Sequence, residues 1–433
     1  MTRVSWGRSH GDPVADNNFC GVITALALFA NSDRLLMGSP LRRRGVCLVT
    51  SAAAIVVLTF ATIVHLGLIG GMRADVMTVF IQALMLSSML AAVPLAVLWY
   101  LDRRERESPW LFAAAFLWGG CIATTLALPV NTAFFLFVDA VVAQDPTIRE
   151  MLGPNAAMLL AAPISAPIAE EMAKALGVLV LFSFMRAEFD NMRDGIVYGA
   201  LVGAGFNWFE AALYVAQNYA EYGVATYGLQ LGSRYALFGL GGHAMFTAIF
   251  GAFLGVATQT QYRWLRILAP LAGLTLAIVA HTLYNVLPLV AALESAAAGE
   301  PATRGDPFLN MGFVETFVSS SLLQLVIFLP FLLILAIALW RSGVWERRVI
   351  RDELADEVGR TVSADEYRDI VRDRMFRTRR IDRLQPRVSA ALVNAQHELA
   401  FRKRHVRDAG ENPEHDPLIA GWREEIGRLR ELV

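Results

Sequence analysis

"APISAPIAEEMAKALGVLVLF", residues 162–182, sets two adjacent carboxylates and an ammonium into an otherwise apolar run. Each charged side chain near the centre of a membrane helix costs roughly 2.5–3.5 kcal/mol on insertion scales. Either this is a surface helix, or Glu170, Glu171 and Lys174 are buried for a purpose. Composition bears on the choice. Of the 433 residues, 55% are hydrophobic and 18% charged, and the mean hydropathy is +0.46. Soluble domains carry about 25% charged residues. The net charge of −1 hides an asymmetry, because more than half of the 38 basic side chains fall in residues 341–433. Such a chain reads as an all-α, polytopic membrane helical bundle with a charged tail. Cys20, Cys47 and Cys121 are too few and too scattered for a disulfide framework or a CxxC metal site.

Apolar runs of about 20 residues lie near 46–68, 76–100, 110–138, 158–185, 195–216, 237–258, 265–289 and 317–340. That predicts about eight transmembrane helices. The links sort by arginine: "LDRRERES" (101–108) has three, "MRAEFDNMRD" (185–194) two and "QYRWLR" (261–266) two, while the alternate links carry one each. Arg42, Arg43 and Arg44 precede the first span. The positive-inside rule then puts both termini in the cytoplasm of a multi-pass plasma-membrane protein, in agreement with an even span count. Residues 1–45 read as an N-terminal cytoplasmic or interfacial segment, since "GVITALALFA" (21–30) is too short to span; Met1 and Met37 both stand as start sites. Residues 46–340 form the membrane domain and 341–433 a cytoplasmic helical tail. Acidic residues interleave with the tail's arginines, which argues for a solvated helical surface near the bilayer and against nucleic-acid binding.

Polar residues left inside the spans carry the function. Lysine occurs only at Lys174 and Lys403. Lys174 follows Glu170 by four residues and Glu171 by three, so all three share a helix face. Neutralising the ammonium takes one carboxylate, and the second is surplus. In "FDNMRDGIVYGALVGAGFNWFEAALY" (189–214), Gly195, Gly199 and Gly203 form a small-residue seam for a close helix neighbour, and Glu210 lies within the span with Asn207 and Tyr214 on its face. "FGLGGHAMFTAIFGAFLG" (238–255) holds His243 and a second seam at Gly251 and Gly255; "AHTLYNVLP" holds His281 one turn from Asn285. His65 has no polar neighbour at helical spacing and reads as a packing residue. At 1.5 Å per residue, Glu170 and Glu171 lie roughly 12 Å from the outer edge, and Glu210, His243 and His281 about 9–13 Å from theirs. Acid and imidazole from four helices therefore meet at one level in the outer half of the bilayer.

Two histidines with two or three carboxylates, Glu171, Glu210, His243 and His281, can hold Zn²⁺ or another divalent metal with an open position for water. A metal-free route is also open: a buried glutamate deprotonates water, helped by a histidine, while His281 or Asn285 stabilises the oxyanion. Glu170 is the preferred base, with Glu171 paired to Lys174, although periodicity does not separate the two. No GxSxG, HExxH or GxGD pattern is present.

"EEMAK", "FDNMRDGIVYGALVGAGFNWFE", "GGHAMFTAIFGAFLG" and "HTLYN", in that order, resemble the PrsW family of membrane-embedded proteases, and are distantly similar to the CAAX-prenyl-endopeptidase group. The resemblance covers about residues 160–290. It implies an intramembrane endopeptidase acting on a membrane-anchored protein, such as an anti-sigma-factor-like regulator, on the extracytoplasmic side. Carried over residue by residue, Glu170 and Glu171 match the paired glutamates, Lys174 the lysine, His243 and His281 the histidines, and Asn285 the final asparagine. The Glu-Asn usual late in the second motif is Glu210-Ala211 here. Two rivals remain on the residues alone. One is a proton-coupled secondary transporter, although no repeat is visible; the other is an inactive membrane scaffold.

Overall fold

A computed structural model describes residues 40–102, 109–185, 189, 191–260, 262–299, 311–372 and 386–431. The run 21–30, the arginine-rich link 103–108 and residues 373–385 lie outside them. The described residues hold helices and no strand. In chain order these are α1 (Arg44–Gly70), α2 (Ala74–Leu101), α3 (Pro109–Leu117), α4 (Thr124–Val142), α5 (Pro146–Leu152), α6 (Ala156–Phe184), α7 (Met192–Tyr222) and α8 (Tyr227–Arg234). Then come α9 (His243–Gln259), α10 (Arg263–Asn285), α11 (Leu287–Ala297), α12 (Phe313–Leu354), α13 (Ala364–Val371), α14 (Pro386–Asp408) and α15 (Pro417–Glu431).

Among the described residues, six stretches are long and apolar enough to cross a membrane: Arg44–Gly70, Ala74–Leu101, Pro109–Val142, Met192–Tyr222, Arg263–Ala297 and Phe313–Glu357. The sequence pointed to about eight. The two that fall short do so for different reasons. α6 interrupts its apolar run with Glu170, Glu171 and Lys174, and α9 has only 17 residues. Both carry the polar groups singled out above. α6 nonetheless shows a lipid-like face, because Ile164, Ile168, Met172, Leu176 and Leu179 are exposed along it while Glu170, Glu171, Lys174 and Val178 are buried. Side chains at i, i+4 and i+8 share one stripe, so α6 is apolar outward and charged inward.

α7 is the axis of the bundle. It starts at a capping box: Asn191 Oδ1 accepts from the Asp194 backbone N–H at 3.2 Å, and Asp194 Oδ2 accepts from that of Asn191 at 3.1 Å. This arrangement satisfies two donors that a helix start leaves open. Almost all of α7 is buried because both its sides are shaved to backbone. A Cβ on Gly195 would lie 2.0 Å from the Gly251 carbonyl oxygen of α9, and one on Gly203 would lie 2.1 Å from that of His243. On the opposite side a Cβ on Gly205 would lie 1.8 Å from the carbonyl oxygen of Phe116. Near that contact α3 passes into α4 through a π-helical turn, Trp118–Ala123. Trp118 spans from it to α6, donating its indole N–H to the Ala173 carbonyl at 3.1 Å.

The sixth span begins later than its apolar run suggests. Residues 235–242 form a 3-10 turn and a kink, with φ of 52° at Leu237, 59° at Phe238, 73° at Gly239 and 54° at Gly242. Left-handed backbone stops a helix, so α9 starts at His243 and the imidazole sits in the first turn.

α12 has 42 residues, about 63 Å of helix against a hydrocarbon core of about 30 Å. Its far end is the first element of the tail. There Val349, Ile350 and Leu354 pack with Leu392, Leu399 and Ile426 from α14 and α15. A buried ion pair, Arg193 Nε to Glu346 Oε1 at 3.0 Å, ties α12 to the start of α7. Within the tail, Lys403 is 1% exposed and donates to the Glu353 carbonyl at 2.8 Å, to Glu357 at 2.8 Å and to Asp356. On the tail surface, the Arg360 and Arg423 guanidiniums hold the Glu414 carboxyl down to about 2. Breaking a buried pair from one side leaves the other charge uncompensated. Lys403→Met is therefore expected to destabilise the tail by about 3 kcal/mol, read as faster amide exchange in α14 and α15 with the membrane helices unchanged.

Candidate active site

Four helices deliver one cluster: Glu170, Glu171 and Lys174 from α6, Glu210 from α7, His243 from α9 and His281 from α10. All six side chains are buried. Lys174 Nζ donates to Glu171 Oε1 at 2.6 Å and stands 3.7 Å from Glu170 Oε2. The two glutamates that periodicity left equivalent are thus distinguished by more than an ångström. Glu171 is fully engaged, since it also accepts from His281 Nδ1 at 3.0 Å and from Thr247 Oγ1 at 3.1 Å. Glu170 is not. Its Oε1 accepts from Asn131 Nδ2 at 3.1 Å, while its buried Oε2 makes no hydrogen bond.

The network fixes both imidazole tautomers. Carboxylates only accept and an ammonium only donates. His243 Nε2–H therefore donates to Glu210 Oε2 at 2.9 Å, and His243 Nδ1 keeps a lone pair facing Lys174 Nζ at 2.8 Å. His281 donates from Nδ1 to Glu171, so its Nε2 keeps the lone pair, with Asn285 Nδ2 at 3.3 Å. Those two lone-pair nitrogens stand 3.8 Å and 4.0 Å from Glu170 Oε2. Glu170, His243 and His281 each offer one ligand atom, and the three lie within 4.8 Å of one another.

These residues fit a metal. A buried carboxylate oxygen without a hydrogen bond converges with two imidazole nitrogens whose lone pairs now face Lys174 and Asn285, donors that an ion would displace. Each imidazole's other nitrogen rests on a carboxylate, which is how metal-binding histidines are commonly oriented. Glu170, Glu171 and Glu210 face two cations, Lys174 and Arg234, the latter 3.1 Å from Glu210 Oε2, so the carboxylates outnumber the cations by one and the cluster attracts a further cation. The sequence offers Glu171, Glu210, His243 and His281 as ligands with Glu170 as the base, and in the structure Glu170, His243 and His281 are the three whose ligand atoms lie together. Glu171 and Glu210 stand behind the imidazoles, and Glu170, expected as the base, stands with them. Asn285 Nδ2 also lies 3.2 Å from the Ala162 carbonyl, holding the end of α10 against α6.

A cavity of about 190 Å³ opens between α4, α6 and α7, lined by Asn131, Ser165, Glu170, Phe206, Glu210 and Tyr214 among others. Both Glu170 and Glu210 line it, so the cluster borders open space. Phe246 stacks on His281 with ring centroids 4.9 Å apart, and Lys174 Nζ lies 4.2 Å from the Phe206 ring centroid. His65 belongs to a different neighbourhood, bonded to the Ala61 carbonyl at 2.8 Å and edge-on to Phe209.

Sequence reasoning passed over Asn131, Thr247 and Arg234. Thr247, one turn beyond His243, is visible at helical spacing, whereas Asn131 is a lone amide in an apolar run whose partners lie on another helix. Arg234 was counted as the arginine of the outer link 217–236. Instead its guanidinium folds inward onto Glu210 and the Tyr214 ring, 4.9 Å from the centroid, so that link contributes no loop charge from it.

Residues 107–319 match the family model described as PrsW family intramembrane metalloprotease. Protease PrsW of Geobacillus kaustophilus is 30% identical over 174 residues, 39% of this chain and 66% of that protein. Protease PrsW of Oceanobacillus iheyensis is 28% identical over 165 residues, 38% of this chain and 65% of its own length. The chain thus spans just under two thirds of these curated relatives. No solved structure matches it. The matched residues contain the whole cluster, from Asn131 to Asn285, together with the π turn and both glycine seams. About half of the chain, residues 107–319, is thus similar to the PrsW family of intramembrane metalloproteases.

Proposed function

We propose that this protein is an endopeptidase that hydrolyses a peptide bond of a membrane-anchored protein, an anti-sigma-factor-like regulator being the kind of substrate the family suggests. In this reading α6 and α9 also cross or enter the bilayer, giving eight spans with both termini on the arginine-rich, cytoplasmic side. The cluster then lies in the outer half. The exposed apolar stripe on α6 supports this, because it faces outward while the charged face turns to α7.

Glu170, His243 and His281 would hold the metal. A bound divalent ion would lower the pKa of water toward 7 and polarise the scissile carbonyl. The chain's own groups do the rest. Glu171 and Glu210 hold the two imidazoles in the required tautomers, Lys174 and Arg234 offset the buried carboxylates, and the cavity beside Glu170 admits an extended backbone. The observation that carries this reading is the buried Glu170 Oε2, which makes no hydrogen bond and stands 3.8 Å and 4.0 Å from an imidazole nitrogen of His243 and of His281.

The test uses purified protein in detergent with a single-pass membrane reporter. Cleavage is expected, is expected to stop when a chelator strips the protein, and is expected to return with added Zn²⁺ or another divalent ion. Cleavage indifferent to chelation, from protein free of metal, would overturn the metal reading. Transport of a solute without cleavage would overturn the enzyme reading.

A further inference from the structure

The three ligand atoms converge only if the Glu170 carboxylate is turned one way, and a residue outside the four sequence motifs sets that turn. Asn131, on α4, donates from Nδ2 to Glu170 Oε1 at 3.1 Å. Its own orientation is set from the other end, where Ser165 Oγ donates to Asn131 Oδ1 at 2.8 Å. A carboxylate accepts and does not donate, so the amide must present nitrogen to Glu170 and oxygen to Ser165. The relay runs from α6 through α4 and back to α6. It occupies Oε1 and leaves Oε2 as the atom without a hydrogen bond.

We propose that Asn131 is a positioning residue for the metal site, acting through Glu170 by clamping one carboxylate oxygen so that the other points at His243 and His281. This deepens the metal-centre reading and rests on it. Without the amide, Glu170 Oε1 would be a buried carboxylate oxygen lacking its donor, and the carboxylate would be free to rotate toward Lys174, 3.7 Å from Oε2. Partners that orient metal ligands from behind are worth about 10–100-fold in metal affinity. Asn131 also lines the cavity with Ser165 and Glu170, so substitution there changes the ligand's surroundings without touching either histidine.

The experiment measures Zn²⁺ affinity of the full-length protein in detergent by competition with a chromophoric chelator, using the metal alone. Asn131→Ala is expected to weaken binding about 10–100-fold. Asn131→Leu, which keeps more of the packing volume while lacking the donor, is expected to match it. Ser165→Ala should give a smaller loss of the same kind. The discriminating arm is the pair: in a Glu170→Ala background, adding Asn131→Ala is expected to cost nothing more, because residues acting through one group are non-additive. Binding by Asn131→Ala and Asn131→Leu within twofold of wild type, while Glu170→Ala is impaired, overturns the positioning role alone. The same loss in both backgrounds also overturns it, showing a general packing effect. Wild-type affinity in Glu170→Ala removes the ligand reading, and this proposal with it.

Discussion

Protein carrying His243→Ala or Glu170→Ala is expected to cleave a membrane-anchored reporter on the order of 10³-fold more slowly than wild type. The size follows from what each side chain holds. His243 is the junction of the cluster, with Nε2 on Glu210 and Nδ1 facing Lys174 and Glu170. Removing it takes away one of three convergent ligand atoms and leaves the Glu210 carboxylate with Arg234 alone. Glu170→Ala removes the anionic ligand atom. Glu210→Gln is the informative comparison. It keeps an oxygen in place beside His243 but discards the charge, and it belongs to the groups that orient the ligand, so a loss of about 10–100-fold is expected. Initial rates on the same reporter, with each variant checked for folding by gel filtration, give the ranking. Equal rates for wild type and Glu170→Ala would remove Glu170 from the chemistry.

The second large effect concerns stability. Gly251→Val is expected to cost more than about 3 kcal/mol, because even its Cβ would lie 1.8 Å from the Gly195 carbonyl oxygen. Backbone cannot step aside as a flexible side chain can, so α7 and α9 must separate. That separation would also displace His243, since Gly203 of α7 lies against the His243 carbonyl. Gly67→Ala in α1 is the control. Nothing lies within 4 Å of a Cβ there, and alanine is the better helix former by up to about 1 kcal/mol. Thermal unfolding in detergent, followed by the loss of monodisperse protein, is expected to show a large fall for the first variant and none for the second.

Much of this was legible in the sequence because the bilayer makes errors visible. Apolar length marked the helices, and the surplus carboxylate beside Lys174 marked the site, since both departures are costly in hydrocarbon. The glycine seams were readable for the same reason: small residues four apart have little use except close approach. What the sequence could not supply was orientation around each helix. Periodicity puts Glu170 and Glu171 on one face, and only the third dimension shows Lys174, His281 and Thr247 all spent on Glu171. Asn131 was hidden because a lone amide in an apolar run has no partner at helical spacing; its partner is on another helix. Arg234 counts as one arginine of its link, and that position says nothing of where its long side chain folds.

The glycine-lined contact of α7 with α9 also has a consequence in time. Every group that would meet a substrate comes from a different helix, and α9 is enclosed by its neighbours rather than by lipid. A chain still being inserted, with α10 not yet in place, has Glu170 and His243 but no second imidazole. An unfinished bundle therefore lacks one of the three residues proposed to hold the metal. On the proposed reading, the site stays incomplete until α10 and its His281 have arrived.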